Sequence, residues 1–265
     1  MAFQTPKTDW TGADGVRFGD MNRIEGNILH LNEHKAELSA FNALSSNVDN
    51  ILYDISNRVL LQDLPLGAEF GLYEDGVLVP FIKLAANYES SGRILVVRKD
   101  CYTMETLKDT HETTYNGCYT DTWLNNTYIS SLNTAVQSVL AAVSIKTATA
   151  ISTTTISRKA FLLSATELGL SVTDGVPVEG TAVAYFNSNS RRVSRFRGST
   201  TNYWTRSINT STSNAGYVSA GGTFAVAIAS SPSLGIRPAF TLPGTLEVTA
   251  GVPSASNVMA TAEVI

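Results

Sequence analysis

The apolar residues of this chain change their spacing once, and that change limits what it can fold into. From Met21 they recur in helical steps: Ile24, Ile28, Leu31 and Leu38, then Phe41, Leu44, Val48, Ile51 and Ile55. Steps of four, three and seven put these side chains on one stripe of an α-helix. Around Ser39–Asn42 the phase slips by one residue, so an unbroken heptad coil is not expected. One slightly broken helix and two consecutive helices fit equally, with Asp20 placed as the N-cap. A narrow stripe with little else to cover it meets copies of itself or another subunit. The segment therefore predicts a homo-oligomeric stalk, a trimer by preference; the alternative is a helix folded back on its own globule.

From Leu64 the period shortens to that of strands. Leu66–Leu72 and Val77–Leu84 flank Glu74-Asp75-Gly76, a hairpin signal, and Arg93–Arg98 is a third strand. Residues 99–120 read as polar loop. Short helices are expected from Trp123 and over Leu132–Val143, and Ala160–Leu163 reads as a buried strand, with Ser164 capping a turn. The expected fold is α+β: an arm and helical segment over residues 1–60, a domain of short antiparallel strands and a few helices over 61–243, and a tail over 244–265. That tail reads either as an added strand pairing with a neighbour or as a loose end.

Between Arg206 and Arg237 thirty residues carry no charge. Thr223–Ala229 alternates large and small side chains as a half-buried strand does, and Tyr203–Arg206 and Gly235–Phe240 frame the stretch as further strands. A surface rich in Ser, Asn, Gly and Tyr suits adaptable binding loops, which makes Asn209, Ser211, Asn214, Tyr217 and Ser219 the candidate contact residues. An ordinary meander with small packing residues is the competing reading. Arg206 and Arg237 read as clamps on an ion pair or on carbonyl groups.

The composition narrows the partners. Hydrophobic residues at 43% provide a core, while a net charge of −4 argues against nucleic acid or an anionic membrane. No apolar window is long enough to span a bilayer, and the N-terminus lacks the core of a secretion signal. Synthesis in a bacterial cytoplasm is the expectation. Two cysteines, Cys101 and Cys118, are expected to be reduced and buried, not bridged.

Two resemblances add to this. Thr8-Asp9-Trp10 followed by Asp20-Met21-Asn22-Arg23-Ile24-Glu25-Gly26-Asn27-Ile28 resembles the N-terminal segment common in tail, tail-fibre and baseplate proteins of phages of Gram-positive bacteria. It implies attachment to a tail or baseplate through Trp10, Asn22, Arg23, Ile24, Glu25, Ile28 and Leu31. Phe70-Gly71-Leu72-Tyr73, Trp123-Leu124-Asn125, Phe161-Leu162-Leu163-Ser164, Tyr203-Trp204-Thr205-Arg206-Ser207 and Gly235-Ile236-Arg237-Pro238-Ala239-Phe240 form the second. Their order resembles an uncharacterised domain family of bacterial surface and phage proteins that is similar to C-type lectin-like folds. Pro80–Leu84 and Thr205 depart from the family pattern.

The chemical motifs weigh less. His30-Leu31-Asn32-Glu33-His34 matches a zinc-site spacing, but only His111 remains as a third histidine, so a solvated helix face is expected and no metal is assigned. The neutral stretch holds no Asp or Glu for calcium, and the motifs of calcium-dependent lectins are absent. The fold resemblance extends to oxidases that modify a sulfatase cysteine, but Cys101 and Cys118 lie in the wrong half of the domain for that role. Glu74, Asp75, Asp109, Glu112 and Asp121 are expected to be solvated, not paired for acid–base work. Arg191, Arg192, Arg195 and Arg197, with Arg158 and Lys159, form a short basic cluster read as structural or interprotein. A diversified segment around Asn209–Tyr217 and Thr223 is a lesser reading. The expectation is a non-enzymatic, cofactor-free virion protein of the tail or baseplate that binds a host-surface glycan or protein. A purely structural tail component is the alternative, and an enzyme acting on the host envelope the least favoured class.

Overall fold

A computed structural model describes residues 18–108, 114–149, 152–172, 176–209, 214–230 and 233–251. Contacts divide the chain into two units, one containing the N-terminal helix and the other spanning Asn57–Val252.

The helix α1 (Phe18–Ser56) is continuous for 39 residues. The phase slip near Ser39 therefore moves the stripe around the helix without breaking it, because no Gly or Pro stands there to interrupt the backbone. The helix begins before Asp20, so that residue lies inside the first turn and is not the cap.

The second unit is built of strands β1 (Arg58–Leu60), β2 (Glu69–Glu74), β3 (Val77–Ala85), β4 (Ile94–Arg98), β5 (Thr103–Glu105), β6 (Val143–Ala148), β7 (Thr153–Arg158), β8 (Ala160–Phe161), β9 (Ser194–Phe196), β10 (Ser199–Thr201), β11 (Tyr203–Ile208), β12 (Asn214–Val218), β13 (Phe224–Ile228), β14 (Leu234–Ile236), β15 (Ala239–Leu242) and β16 (Glu247–Ala250). Helix α2 (Tyr119–Trp123) passes through one wide turn (Leu124–Tyr128) into α3 (Ile129–Ser131); α4 (Thr134–Val139) and α5 (Asn189–Arg192) complete the list. A seven-stranded sheet runs β1-β16-β2-β3-β4-β15-β8 and a five-stranded sheet β13-β12-β11-β14-β5, with hairpins β6-β7 and β9-β10 beside them. Strands β11 and β14 pair in parallel, whereas the other named strand pairs among the described residues are antiparallel.

Local chemistry explains the framework. Asp75 and Gly76 both take positive φ, as a two-residue hairpin turn requires, and β2 pairs with β3 from Glu69↔Ile82 to Glu74↔Val77. Phe70, Phe81 and Phe240 come from β2, β3 and β15 and are fully buried. The Phe81 and Phe240 ring centres stand 5.4 Å apart. Lys83 is also buried, and its ammonium spends its three donors on the carbonyls of Leu61, Gln62 and Leu64.

The chain leaves the larger sheet for the smaller after β4, rejoins the larger sheet at β8, and makes its last return between β14 and β15. Arg237 stands at that crossing, donating to the Arg98 carbonyl at 2.9 Å and to the Tyr203 hydroxyl at 3.3 Å. It therefore ties both passages together.

Several expectations needed correction. The polar loop contains β5, and the helix read over Leu132–Val143 stops at Val139, after which Val143 begins β6. The tail is partly strand: β16 lies between β1 and β2 of its own sheet, so the compact unit extends to Val252.

Candidate binding surface

The neutral stretch is mostly sheet. Asn214–Val218 forms β12, hydrogen-bonded on both sides by β11 and β13, so it is not a loop. Asn209 is only 7% exposed and its N–H donates to the Asn214 carbonyl at 3.0 Å. A side chain so covered cannot make the surface contact expected of it. Ser211 lies outside the described residues. Asn214, Tyr217 and Ser219 are half-buried. Tyr217 packs edge-on to Trp204 with ring centres 6.1 Å apart. Ser219 closes the β12–β13 turn through the Thr223 hydroxyl at 2.7 Å. Gly221 and Thr223 at the tip are exposed. A ligand approaching this turn meets the tip and Ser219, whereas Asn214 stands at the far end of β12, opposite Ile228.

Beneath that sheet lies a polar network. A register irregularity in β11 between Trp204 and Ile208 turns Arg206 into the core, as bulges do. Its guanidinium holds both Glu167 carboxylate oxygens at 2.6 Å and the carbonyls of Leu162 and Lys146. Both members of the pair are fully buried. Burial alone would lower the Arg206 pKa, but the Glu167 carboxylate, helped by Tyr88 and Glu179, more than reverses this and leaves it raised. Ser164 and Glu167 cap one another's N–H groups at 3.0 and 2.9 Å. This is the reciprocal cap of a helix start, here closing a single turn. The Tyr88 hydroxyl donates to Glu167 at 2.6 Å. Glu179 accepts from the Ala148 N–H and the Ser207 hydroxyl, and burial raises its pKa to about 7 against the lowering effect of Arg206. The clamp role read for Arg206 and Arg237 is what their bonds show.

The other charged candidates are also engaged internally. Glu74 is buried against Arg98 at 2.8 Å, and Asp121 against Arg158 at 2.7 Å. Neither is the solvated acid expected, because each lies where a strand or helix start turns into the core. Asp75 accepts from the Tyr102 hydroxyl; Asp109 and Glu112 lie outside the described residues. Arg192 is a buried clamp on the carbonyls of Leu168, Gly169 and Phe186. The basic cluster therefore reduces to Arg191, Arg195 and Arg197 at the surface, with Lys159. Sequence order alone gave no sign that Arg192 differs from Arg191. Cys101 and Cys118 are free and buried, and burial raises both thiol pKa values, that of Cys118 to about 12.

On α1, His30 and His34 meet edge to face and His34 contacts Glu37 at 3.1 Å; His111 lies outside the described residues. Among the described residues no group of three metal-ligating side chains converges, and no helix is long and apolar enough to cross a membrane. Of the attachment set, Asn22, Ile24, Glu25, Ile28 and Leu31 are exposed, Arg23 is half-buried, and Trp10 lies outside the described residues.

A family profile described as a domain of unknown function, DUF6273, matches residues 91–244, more than half of the 265 residues. The chain belongs to the DUF6273 family. The match takes in the whole five-stranded sheet and the buried network apart from Tyr88, but not α1 or strands β1, β2, β3 and β16. The compact unit of this DUF6273 protein is thus larger than the matched segment. Comparisons with curated proteins and with solved structures find no match.

Proposed function

We propose that this DUF6273 protein is a non-enzymatic tail or baseplate component of a phage or phage-like particle, and that it binds the host cell surface through many copies of a lectin-like domain. The observation that carries this reading is the face of α1, where the nine stripe residues from Ile24 to Ile55 stand between 45% and 65% exposed. Full burial of one such side chain is worth roughly 1.5–3 kcal/mol, so a continuous stripe favours association, with a trimer preferred. Copies held in this way present several hairpin tips at once, and weak contacts by Asn214, Tyr217 and Ser219 to a glycan or protein sum by effective concentration.

The test uses the full chain, fluorescently labelled, on intact cells of Gram-positive bacteria. A triple variant, Ile28→Asp with Leu31→Asp and Leu44→Asp, is expected to lose the trimer held by α1 and to bind roughly 100-fold more weakly. A monomeric parent chain, or binding indifferent to the triple variant, would refute the proposal. A purely structural role has one observation in its favour, the burial of Asn209 and the half-burial of its neighbours. It is selected if a map of the particle shows the Ser219–Thr223 turn covered by another tail protein.

A further inference from the structure

The five-stranded sheet ends at β13 on one side and at β5 on the other. These two edges differ. β5 has three residues and carries Glu105, whereas β13 has five residues, Phe-Ala-Val-Ala-Ile, and no charge. Folded proteins blunt an exposed edge with charge, proline, a bulge or a short strand. Strand β13 has none of these, and its register with β12 runs without a shift from Asn214↔Ile228 to Val218↔Phe224.

The ladder phase shows what the edge offers. The hairpin closes with the Ser219 N–H on the Thr223 carbonyl at 2.8 Å. Hydrogen-bonded pairs then fall at alternate residues, on Ala225 and Ala227, and the N–H and C=O groups of Phe224, Val226 and Ile228 point away from β12. Among the described residues no strand pairs with that side. The apolar side chains do not retreat from it: Phe224 and Val226 are half-buried and Ile228 is 50% exposed.

We infer that β13 pairs edge to edge and antiparallel with β13 of a second copy of this chain. The occupant follows from self-complementarity. A two-fold axis at Val226 sets Phe224 opposite Ile228 and Ala225 opposite Ala227, matching large with large and small with small. It also joins the three outward N–H and C=O pairs of each copy. No charge lies between Arg206 and Arg237 to repel a copy. The contact is isologous and therefore closes after two copies. This inference is independent of the host-surface reading and of the α1 stalk.

The experiment separates the two associations by using the full chain with Ile28→Asp, Leu31→Asp and Leu44→Asp. Sedimentation velocity is expected to show a concentration-dependent monomer–dimer equilibrium. Adding Val226→Pro removes only an N–H that points outward, a substitution an edge strand tolerates. It is expected to leave the thermal transition unchanged and to abolish the dimer. As a second readout, Val226→Cys lies opposite its own copy and is expected to give a disulfide-linked dimer on oxidation, whereas Thr200→Cys, exposed on β10, is not. A monomer at all concentrations, a dimer or aggregate indifferent to Val226→Pro, or equal cross-linking at Thr200→Cys would overturn the inference. Failure of α1 to trimerise would leave it standing.

Discussion

Replacing Arg206 by Met tests whether the buried network holds the domain together. The substitution keeps a long apolar side chain but removes four hydrogen bonds, two to the Glu167 carboxylate and two to carbonyls. Glu167 would then remain fully buried, with the Tyr88 hydroxyl and the Ser164 N–H as its remaining partners. Removing one member of a buried ion pair costs roughly 3–5 kcal/mol, mostly from the charge left behind. For a unit of this size each kcal/mol lowers Tm by about 2–4 °C, so the drop should lie between about 6 and 20 °C. Differential scanning calorimetry of the full chain measures it, following the transition of the Asn57–Val252 unit. Combining Arg206→Met with Glu167→Gln removes the orphaned charge, and the double variant should melt above Arg206→Met alone. The reasoning fails if Arg206→Met lowers Tm by less than 3 °C, or if the double variant is the less stable of the two.

Three further outcomes follow from the same coordinates. Burial raises the folded Glu179 pKa to about 7 from its ordinary value of 4.5, so its contribution is fully present below pH 4.5 and is lost as pH rises through 7. Linkage makes this about 3 kcal/mol, and Glu179→Gln, which can keep both hydrogen bonds, should flatten the dependence of Tm on pH across that window. Among the described residues the Thr147 hydroxyl is buried without a partner, so Thr147→Val should raise stability by about 1 kcal/mol in urea unfolding. Gly222 has φ +80°, and a Cβ there would collide with the backbone carbonyl of Asn189, whereas a Cβ on Gly221 would make only an ordinary contact with the Ser219 hydroxyl at 3.8 Å. Gly222→Ala should cost roughly 2–4 kcal/mol in the same assay and Gly221→Ala close to none.

What could be read from the sequence was whatever local chemistry decides. The β2–β3 turn was legible because Asp75 and Gly76 are residue types that accept positive φ. The continuity of α1 was left open because a phase slip in side chains is not a break in the backbone. β6 was missed although Val143, Ile145 and Thr147 are buried and alternate with exposed Ser144 and Lys146; the preceding helical pattern masked the change of period. β5 has three residues, too few to show any period, and it exists because β14 pairs with it. The clamp role of Arg206 could be guessed from a lone charge beside a neutral block. Its partner Glu167, 39 residues away, could not, because nothing local links the two.

The neutral stretch was the hardest to interpret, because one composition serves two purposes. Small residues in β12 are required from within: a Cβ on Gly216 would press on the Phe224 ring and the Thr205 hydroxyl. The absence of further charge in β11, and of any in β12, is also required from within, since another ion beside Arg206 would compete for the one carboxylate that neutralises it in a medium of low polarity. Neither constraint reaches the outer edge of β13 or the exposed tip residues Gly221 and Thr223, where charge would be harmless to the core. Packing does not demand neutrality there, and the two proposals made for this chain assign contact with another surface to those two places.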